Sequence, residues 1–399
     1  MIKKFNVADT NYYLDSNSLT LYKDKVIKNE TEIKTEKKLE NNKILYKLVF
    51  NVANTCNLNC MYCYASCGNY GRDNTLMSVN IAHKIVQSLK QNYDTIRTVY
   101  FFGGEPTINF KTIKYLVDEL KSKFVINDYR IVTNATLIND EMIKFFCENN
   151  FKIYVSIDGP EMINNHLRGN YFKKLISTIQ QLKKSKIKDK LELICTYTKF
   201  HQDNMSMTEL EKFFDNLGVK YSISDVITND KSLKIRKTKK DIINQEISFI
   251  DKSIDRIKNN SLNVGISAYL RNVLDALILK SKSDYFCNEL QNDYSRVYDY
   301  NGEIYPCIRL IGTHKTGDDL ICKFNKKSSD NCRKCWAREF CHDCTADIIL
   351  GNVKPTYVNK SCYKKFLYKY TIEKLLELFH NDSSLFNELV NKFYTNYLF

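Results

Sequence analysis

Short apolar segments alternate with helical patterns through the middle of the chain. Ile81, Ile85 and Leu89 mark the first of five stretches that repeat apolar residues every three or four positions, as amphipathic helices do. Successive strand and helix patterns predict an α/β fold with a parallel sheet, most simply a partial (β/α)6 TIM-like barrel with functional residues at the strands' carboxyl ends. The predicted strands are short and rich in β-branched and aromatic residues: Tyr46 to Val52, Thr98 to Phe102, Tyr129 to Thr133, Lys152 to Ile157, Leu191 to Tyr197 and Val219 to Ser224.

The two ends of the chain have different patterns. Residues Lys3 to Lys23 contain short strand-like stretches separated by turn residues, and a charged segment, Glu30 to Asn42, follows them. This predicts a small sheet in residues 1–42, either an ordinary hairpin or an edge that captures a peptide by strand addition. After the core at 43–230, isoleucines at helical spacing predict a bridge at 231–285, with a sixth barrel helix, and residues 365–399 are predicted to form one amphipathic helix.

Composition narrows the class of protein. Of the 399 residues 43% are hydrophobic, which excludes bulk disorder. No apolar run reaches the roughly 18 residues that cross a bilayer, and Met1 to Tyr13 lacks the apolar core of a secretory signal. We therefore expect a cytoplasmic protein without a membrane partner. In that reducing compartment, 14 cysteines indicate metal ligation rather than disulfides.

The positive charge does not by itself predict a nucleic-acid partner. The net charge is +14, but 49 of the 60 cations are Lys, scattered along the chain and interleaved with acids. The densest basic segment, Lys231 to Lys240, is more typical of a solvated loop and helix face than of a binding arm. We therefore do not expect nucleic acid to be a partner, whereas an acidic peptide stays possible.

Three cysteines directly after the first predicted strand suit a metal centre. Cys56, Cys60 and Cys63 form a C-x3-C-x2-C run. A structural zinc site needs four protein ligands, and no fourth Cys or His stands at knuckle spacing, Cys67 being the nearest. A [4Fe-4S] cluster needs no further residue, because thiolates on three irons leave the fourth iron open to a substrate or cofactor. The run therefore favours an iron–sulfur cluster over zinc.

Polar turns follow the next three predicted strands. Two glycines in Gly103-Gly104-Glu105-Pro106 allow the backbone to approach a ligand closely, and Glu105 offers an acceptor for an ammonium group. Asn134 follows the third strand, and Ser156-Ile157-Asp158-Gly159-Pro160 follows the fourth, with Arg168 a little further on. For Asn134 and Arg168, an ordinary turn residue or surface cation is the alternative interpretation.

Taken together, these motifs resemble those of the radical S-adenosylmethionine (SAM) enzymes, whose signature has this cysteine spacing and an aromatic residue in the place of Tyr62. The resemblance implies that the three cysteines hold a [4Fe-4S] cluster that cleaves SAM to a 5′-deoxyadenosyl radical, with an external electron donor such as flavodoxin or ferredoxin. It also implies a SAM pocket in which the Gly103 to Pro106 turn contacts the amino group, Ser156 and Asp158 face the ribose, Arg168 pairs with the carboxylate and Asn134 lines the wall.

A second field of cysteines resembles the SPASM extension of this family, here residues 286–364. The shared pattern is a Cys, then Gly302-x4-Cys307, a clustered quartet and a last Cys, although C-x2-C pairs also suit zinc. The resemblance implies two auxiliary [4Fe-4S] clusters, one on Cys287, Cys307 and Cys344 and one on Cys332, Cys335, Cys341 and Cys362. Two features depart from the family: the quartet closes with two intervening residues instead of three, and one cysteine rather than two precedes Gly302. Whether Cys322 completes the first set stays open.

SPASM enzymes mostly modify peptides and proteins. The resemblance therefore favours a maturase of a ribosomally made precursor peptide (RiPP), installing Cys thioethers of the sactipeptide or ranthipeptide type, with the leader bound by residues 1–42. The main alternative is an anaerobic sulfatase-maturating enzyme, which forms formylglycine. Those relatives place an Asp directly after the Gly-x4-Cys cysteine, where this chain has Ile308. Carbon–carbon cross-linking and, with less support, RNA modification are further alternatives.

Overall fold

A computed structural model of the protein describes residues 1–24, 43–259, 265–280, 282–287, 289, 294–316, 325–327, 329–352 and 362–397. The strands of these residues are β1 (Ile2–Val7), β2 (Thr10–Asp15), β3 (Thr20–Lys23), β4 (Ile44–Asn54), β5 (Thr75–Leu76), β6 (Thr95–Gly103), β7 (Val125–Thr133), β8 (Lys152–Ser156), β9 (Leu191–Tyr197), β10 (Lys220–Asp225), β11 (Ser295–Tyr298) and β12 (Ile304–Tyr305). The α-helices are α1 (Val79–Lys90), α2 (Phe110–Lys123), α3 (Asp140–Glu148), α4 (Glu161–Arg168), α5 (Phe172–Lys184), α6 (Lys199–Asn204), α7 (Met207–Leu217), α8 (Lys239–Lys258), α9 (Ala268–Leu279), α10 (Asp330–Arg333), α11 (Thr345–Ile349), α12 (Lys364–Asn381) and α13 (Ser383–Tyr397).

A central sheet has the strand order β10-β9-β8-β7-β6-β4-β11-β12, with β5 paired to β4. The six predicted strands, β4 and β6 to β10, are neighbours in chain order and pair in parallel. This confirms the predicted α/β fold with a parallel sheet. Within the described residues the sheet ends at β10 and β12 and does not close on itself. Because the strands are parallel, their carboxyl-terminal turns meet at one edge of the sheet.

The main core lies between this sheet and helices α1, α2, α3, α5 and α7. A row of aromatic side chains crosses the inner strands, with the Phe50, Phe101 and Phe151 rings stacked at centroid distances of 6.2 and 5.8 Å. Polar residues fix the helix ends: Ser78 caps α1, and Ser206 forms a capping box with Glu209 at the start of α7. Each helix therefore begins at a defined residue after the strand that precedes it.

The sheet continues into the cysteine-rich part of the chain, which the sequence did not predict. Strand β11 pairs in parallel with β4, so that Val297 lies opposite Val49, and β12 pairs antiparallel with β11. Lys47 on β4 also forms an ion pair with Glu289 at 2.6 Å. The region after residue 294 is thus joined to the strand that precedes the first cysteine loop.

A second core combines segments that are far apart in sequence. The antiparallel sheet β1-β2-β3 packs there with helices α8, α9, α12 and α13. Phe5 is 1% exposed and meets the Trp336 ring edge-on at 5.8 Å, and Tyr12 is hydrogen-bonded to His380 at 3.4 Å. The small N-terminal sheet is therefore anchored to the carboxyl-terminal third of the chain. The charged segment of 30–42 lies outside the described residues.

Two predictions about helices are corrected. Helix α8 does not pack as a sixth barrel helix: Ile250, Ile254 and Ile257 lie in the second core, because its apolar face is covered by α9, α12 and α13. The C-terminal region forms two helices rather than one, since the chain leaves helical geometry at Asp382 (φ −154°, ψ 91°) between α12 and α13.

Among the described residues, we find no helix that is both long and apolar enough to span a membrane.

Candidate active site

The three cysteines of the first motif lie on the loop that follows β4. Burial, with the charges of Glu105, Cys60 and Cys63, raises the pKa of Cys56 to about 11, so the thiols are close enough to repel one another's charge. Burial also raises the pKa of Cys60. Thiols in such surroundings become thiolates only when a cation or metal takes up their charge. The donor set therefore fits a metal cluster.

The described residues contain no group of three His, Cys, Asp or Glu side chains that converges on a single metal ion. In a cubane cluster each thiolate binds a different iron, so the sulfur atoms surround a body several ångströms wide instead of meeting at a point. This geometry is therefore compatible with a cluster.

The cysteine loop and the glycine turn after β6 pack backbone against backbone. A Cβ atom on Gly104 would lie 2.2 Å from the carbonyl oxygen of Thr55 and 2.8 Å from Cα of Gly68. Gly68 itself has φ +93°, and a Cβ atom on Gly68 would lie 2.4 Å from Cα of Gly104. Only glycine fits at either position. The turn predicted to contact SAM thus directly supports the cysteine loop.

Glu105 connects two of the turns at the edge of the sheet. Its side chain is 1% exposed and accepts hydrogen bonds from Thr107, from the Thr133 hydroxyl at 2.7 Å and from the backbone N–H of Asn134 at 2.7 Å. Burial raises its pKa in spite of these bonds. Its carboxylate therefore ties the turn after β6 to the turn after β7, and its contact with the SAM ammonium stays a prediction.

Asn134 lies against the cysteine loop, in the first turn after β7. Its side-chain Nδ2 donates to Oδ1 of Asn57 at 3.0 Å and lies 3.8 Å from Sγ of Cys56, while its Oδ1 accepts from Thr136. Asn134 is 8% exposed. It is therefore a neighbour of the first cysteine and not a surface turn residue.

Asp158 and Arg168 form a buried ion pair beside Cys60. Arg168 donates through Nε to Oδ2 of Asp158 at 2.8 Å and through Nη2 to Oδ1 at 3.2 Å, and Nη1 lies 4.0 Å from Sγ of Cys60. Tyr62 donates to the same carboxylate at 2.5 Å, and Thr196 donates its backbone N–H at 3.0 Å. Burial lowers the pKa of Arg168, but the charge of Asp158 more than offsets this and raises it above its ordinary value.

The ribose contact predicted for Asp158 stays a prediction. Its side chain is fully buried, and both carboxylate oxygens accept hydrogen bonds from the protein. Ser156, at the end of β8, is half-buried, and its hydroxyl has no hydrogen-bond partner among the described residues. Of the two residues predicted for the ribose, Ser156 is therefore the one whose hydroxyl is placed to take a new partner.

Sequence reasoning missed His201, which is hydrogen-bonded to the backbone of Asp158. His201 is fully buried on α6; its Nε2 lies 2.6 Å from the carbonyl oxygen of Asp158, and its Nδ1 accepts from the Thr198 N–H at 3.1 Å. Because Nδ1 accepts, the proton is on Nε2 and is donated to the carbonyl. A lone histidine in a helix of six residues gave no sequence signal for this contact.

Comparison with known proteins agrees with this arrangement. The model of the Radical SAM superfamily matches residues 50–215. An uncharacterized protein of Methanocaldococcus jannaschii is 31% identical over 301 residues, which are 73% of this chain and 95% of the relative. The chain belongs to the radical SAM superfamily. A radical SAM cyclopropyl synthase, TigE of Paramaledivibacter caminithermalis, is 21% identical over 82% of this chain and 73% of its own length.

Radical SAM enzymes that act on sulfatases are also among the relatives. A cysteine-type anaerobic sulfatase-maturating enzyme of Clostridium perfringens is 23% identical over 82% of this chain and 96% of its own length. The solved structure of native anSMEcpe with bound AdoMet and a Cp18Cys peptide has a TM-score of 0.61 at 21% identity, covering 85% of this chain and 99% of that chain. At this identity the structural likeness shows the shared fold.

In this radical SAM protein the remaining predicted cysteines lie in two groups. Burial raises the pKa of Cys287 and of Cys344 to about 12, and both thiols are near enough to Cys307 for its charge to add to the shift. The other four, Cys332, Cys335, Cys341 and Cys362, line one cavity. This is the division that the SPASM resemblance implies. Cys322 lies outside the described residues, and Cys195 is a buried thiol.

A larger cavity adjoins the first of these groups. It has a volume of about 710 Å³, and its walls include Cys287 and Cys344, the carboxyl group of Glu246 and the rings of Tyr269 and Tyr294. Glu246 comes from α8 and Tyr269 from α9, so the bridge helices form one wall of the cavity. Sequence reasoning assigned those helices no role, because a cavity wall leaves no periodic signal of its own.

Proposed function

We propose that this protein oxidises a cysteine or serine side chain in a peptide or protein substrate, as an anaerobic sulfatase-maturating enzyme does. The observation that carries the proposal is the division of its cysteines into one loop after β4 and two further groups, within a chain whose likeness to a sulfatase-maturating enzyme extends over 96% of that relative. A [4Fe-4S] cluster on Cys56, Cys60 and Cys63 would supply the electron that cleaves bound SAM.

The chain's own residues would hold SAM at this site. Arg168 keeps one guanidinium nitrogen free of Asp158, and a carboxylate is the natural partner of such a group. The Gly103-Gly104 turn exposes backbone instead of side chains next to the cysteine loop. Ser156 contributes a hydroxyl at the end of β8. Asp158, Glu105 and His201 would fix these elements in place.

The cavity of about 710 Å³ beside Cys287 and Cys344 is the proposed substrate site. Its volume lies in the range of pockets that enclose small ligands or a few residues of a peptide. Aromatic walls would hold the substrate backbone, and the adjoining first auxiliary cluster would accept or relay the electron released as the side chain is oxidised. A second auxiliary cluster would occupy the other cysteine group, giving three clusters in all.

Cross-linking of a precursor peptide is the second candidate function, and Ile308 favours it. The expected base of the sulfatase-maturating enzymes is an Asp directly after the cysteine of Gly-x4-Cys, and this chain has an apolar side chain there. Arg309, the next residue, forms an ion pair with Asp347. Without an Asp at the position after Cys307, a substrate thiolate held at the first auxiliary cluster would favour thioether formation.

The N-terminal sheet is a proposed leader-binding element in this second case. Strands β1 and β3 are its edges, and an edge offers unpaired main-chain groups to an extended peptide. The external donor, flavodoxin or ferredoxin, stays a proposal in both cases.

Mass spectrometry of the substrate after turnover separates the two functions. The anaerobically reconstituted enzyme would be incubated with SAM, reductant and two peptides: one with a sulfatase-type Cys and one Cys-rich peptide from a neighbouring reading frame. Conversion of Cys to an aldehyde, with release of hydrogen sulfide and trapping by a hydrazide, supports the first function. A product two hydrogens lighter that resists thiol alkylation supports cross-linking, and turnover of neither peptide counts against both.

A further inference from the structure

The cavity of the second auxiliary group contains a buried lysine that the proposed function does not use. Lys326 lines this cavity together with Cys332, Cys335, Cys341 and Cys362. Its side chain is fully buried, at 0% exposure. Its backbone is fixed, because the N–H of Lys326 donates to the carbonyl oxygen of Asp284 at 2.6 Å and the neighbouring Asn325 pairs with Tyr285. The position of Lys326 in the wall is thus defined by the fold.

Two of the other cations that line the cavity are already paired, and the third, Lys365, is only half-buried. Lys364 donates to the carbonyl oxygen of His342 at 2.8 Å and lies 3.2 Å from a carboxylate oxygen of Asp343. Arg338 forms an ion pair with Glu339 at 2.7 Å. In the part of the chain that the structure describes, Nζ of Lys326 has no hydrogen-bond partner. A buried ammonium without a partner costs several kcal/mol, so the fold keeps this group at a cost unless an anion meets it.

The thiols that share the cavity identify that anion. Four thiolates around a [4Fe-4S] core carry net negative charge, and all four cysteines line the same cavity as Lys326. We propose that Lys326 is a positioning residue that compensates the charge of a [4Fe-4S] cluster on Cys332, Cys335, Cys341 and Cys362 and raises its reduction potential. The inference rests on the auxiliary clusters of the proposed function. It assigns to this chain a residue that tunes one of them.

The direction of the effect follows from charge alone. Reduction adds one negative charge to the cluster, so a fixed positive charge beside it stabilises the reduced state more than the oxidised state. Lys326→Met keeps the length and apolar packing of the side chain but removes its charge. The cluster of this variant should have a more negative reduction potential, whereas Lys326→Arg should restore it towards the value of the unmodified protein.

The matched control is Lys327, the next residue along the chain. Its side chain is 58% exposed and pairs with Asp284 at 2.5 Å, outside the cavity. Lys327→Met also removes one positive charge, but this charge lies in solvent, where screening makes its effect on the cluster small. It should leave the potential and the iron content unchanged.

The test is a dye-mediated redox titration of the holoprotein, followed by electron paramagnetic resonance, with iron and sulfide measured per chain. The signal that disappears in Cys332→Ala/Cys335→Ala identifies the cluster concerned. A negative shift of that signal in Lys326→Met, rescued by Lys326→Arg and absent in Lys327→Met, supports the inference, as does selective loss of that cluster's iron in Lys326→Met alone. An unchanged signal and iron content in Lys326→Met overturns it and leaves the proposed function intact.

If Lys326→Met does not fold, Lys326→Arg and Lys326→Gln are compared in its place, and equal potentials in these two variants overturn the inference. If Cys332→Ala/Cys335→Ala removes no iron, the cysteine group holds no cluster. In that case the assignment of the second auxiliary cluster fails together with the role of Lys326.

Discussion

The radical-site region and the second core are assembled from the sequence in opposite ways. The first is one continuous stretch in which β4, β6, β7, β8, β9 and β10 pair in chain order. The second core joins β1 to β3, helices α8 and α9, the Trp336 to Phe340 segment and helices α12 and α13. Local order dominates the first region, and contacts between distant segments dominate the second.

The two regions also differ in how they satisfy buried charge. Around the first cysteine loop, Asp158, Arg168 and Tyr62 form a closed set of hydrogen bonds. On the cysteine-rich side, Nζ of Lys326, Nε of Arg309 and Oδ2 of Asp347 are buried without a hydrogen-bond partner among the described residues. Unpartnered polar atoms also occur near the first loop, for example on Asn51 and Asn54. The comparison therefore concerns charge: the charged groups beside the first cysteines are paired within the protein, whereas the ammonium group of Lys326 is not.

The largest expected effect separates the two regions directly. Replacing Cys56, Cys60 and Cys63 together by Ala should abolish 5′-deoxyadenosine formation from SAM, because the only cysteines after β4 at signature spacing are lost. The iron of the two other cysteine groups should be retained. Cys67→Ala, on the same loop, is the control and should keep SAM cleavage. Product analysis by chromatography and iron per chain measure both, and cleavage by the triple variant would place the radical site elsewhere.

The next effect tests the closed hydrogen-bond set. Asp158→Ala leaves Arg168 buried without its partner and should lower the free energy of unfolding by about 3–5 kcal/mol, with weaker SAM binding. The control is Glu148→Ala, which removes the exposed partner of Lys144 and should cost about 0–1 kcal/mol. Chemical denaturation and equilibrium SAM binding report the two quantities. Equal losses in both variants would show that the buried pair does not hold the site.

A third experiment addresses the N-terminal sheet. Phe5→Ala removes a buried ring from the second core and should cost about 3–5 kcal/mol there. Trp336, the only Trp in the chain, touches that ring and reports the transition by fluorescence. Tyr13→Ala, on the partly exposed face of β2, is the control and should shift the midpoint much less. A similar shift in both variants would mean that the sheet is not part of this core.

This result also bears on leader binding. Deleting residues 1–24 would remove Phe5, Tyr12 and Leu14 from the second core, so a loss of peptide affinity in such a variant would not separate recognition from unfolding. Proline substitutions at the exposed edge of β3 test recognition with less damage, since they block main-chain pairing and leave the buried residues in place.

Sequence patterns predicted the continuous region well and the assembled one poorly. The alternation of β-branched strands with residues such as Ile85 and Leu89 gave the order of the sheet, because each unit is local. The same patterns misplaced α8, since an apolar stripe does not say which distant surface covers it. The motif predicted that Asp158 and Glu105 lie in the site, but their partners Arg168, Tyr62 and Thr133 meet them only in three dimensions. Lys326 gave no signal, because burial of one lysine among 49 follows from packing alone.

The smallest expected effect is a pH dependence confined to the second core. Asp275 lies on α9, and burial raises its pKa from 3.8 to about 6, against the opposing charge of Arg271. Between pH 3.8 and about 6 the folded state therefore binds more protons than the unfolded state, so the free energy of unfolding falls as pH rises through this interval. Above it the full cost of the buried carboxylate, about 1–3 kcal/mol, is present.

Asp275→Asn should remove this cost, so that the variant is more stable than the unmodified protein at pH 7 and equal to it near pH 3.8. Asp255→Asn, at a carboxylate that is 70% exposed on α8, should change neither. Denaturation midpoints followed by Trp336 fluorescence across the interval measure the difference, and parallel pH profiles for Asp275→Asn and the unmodified protein would show that Asp275 is ionised in the fold at no cost.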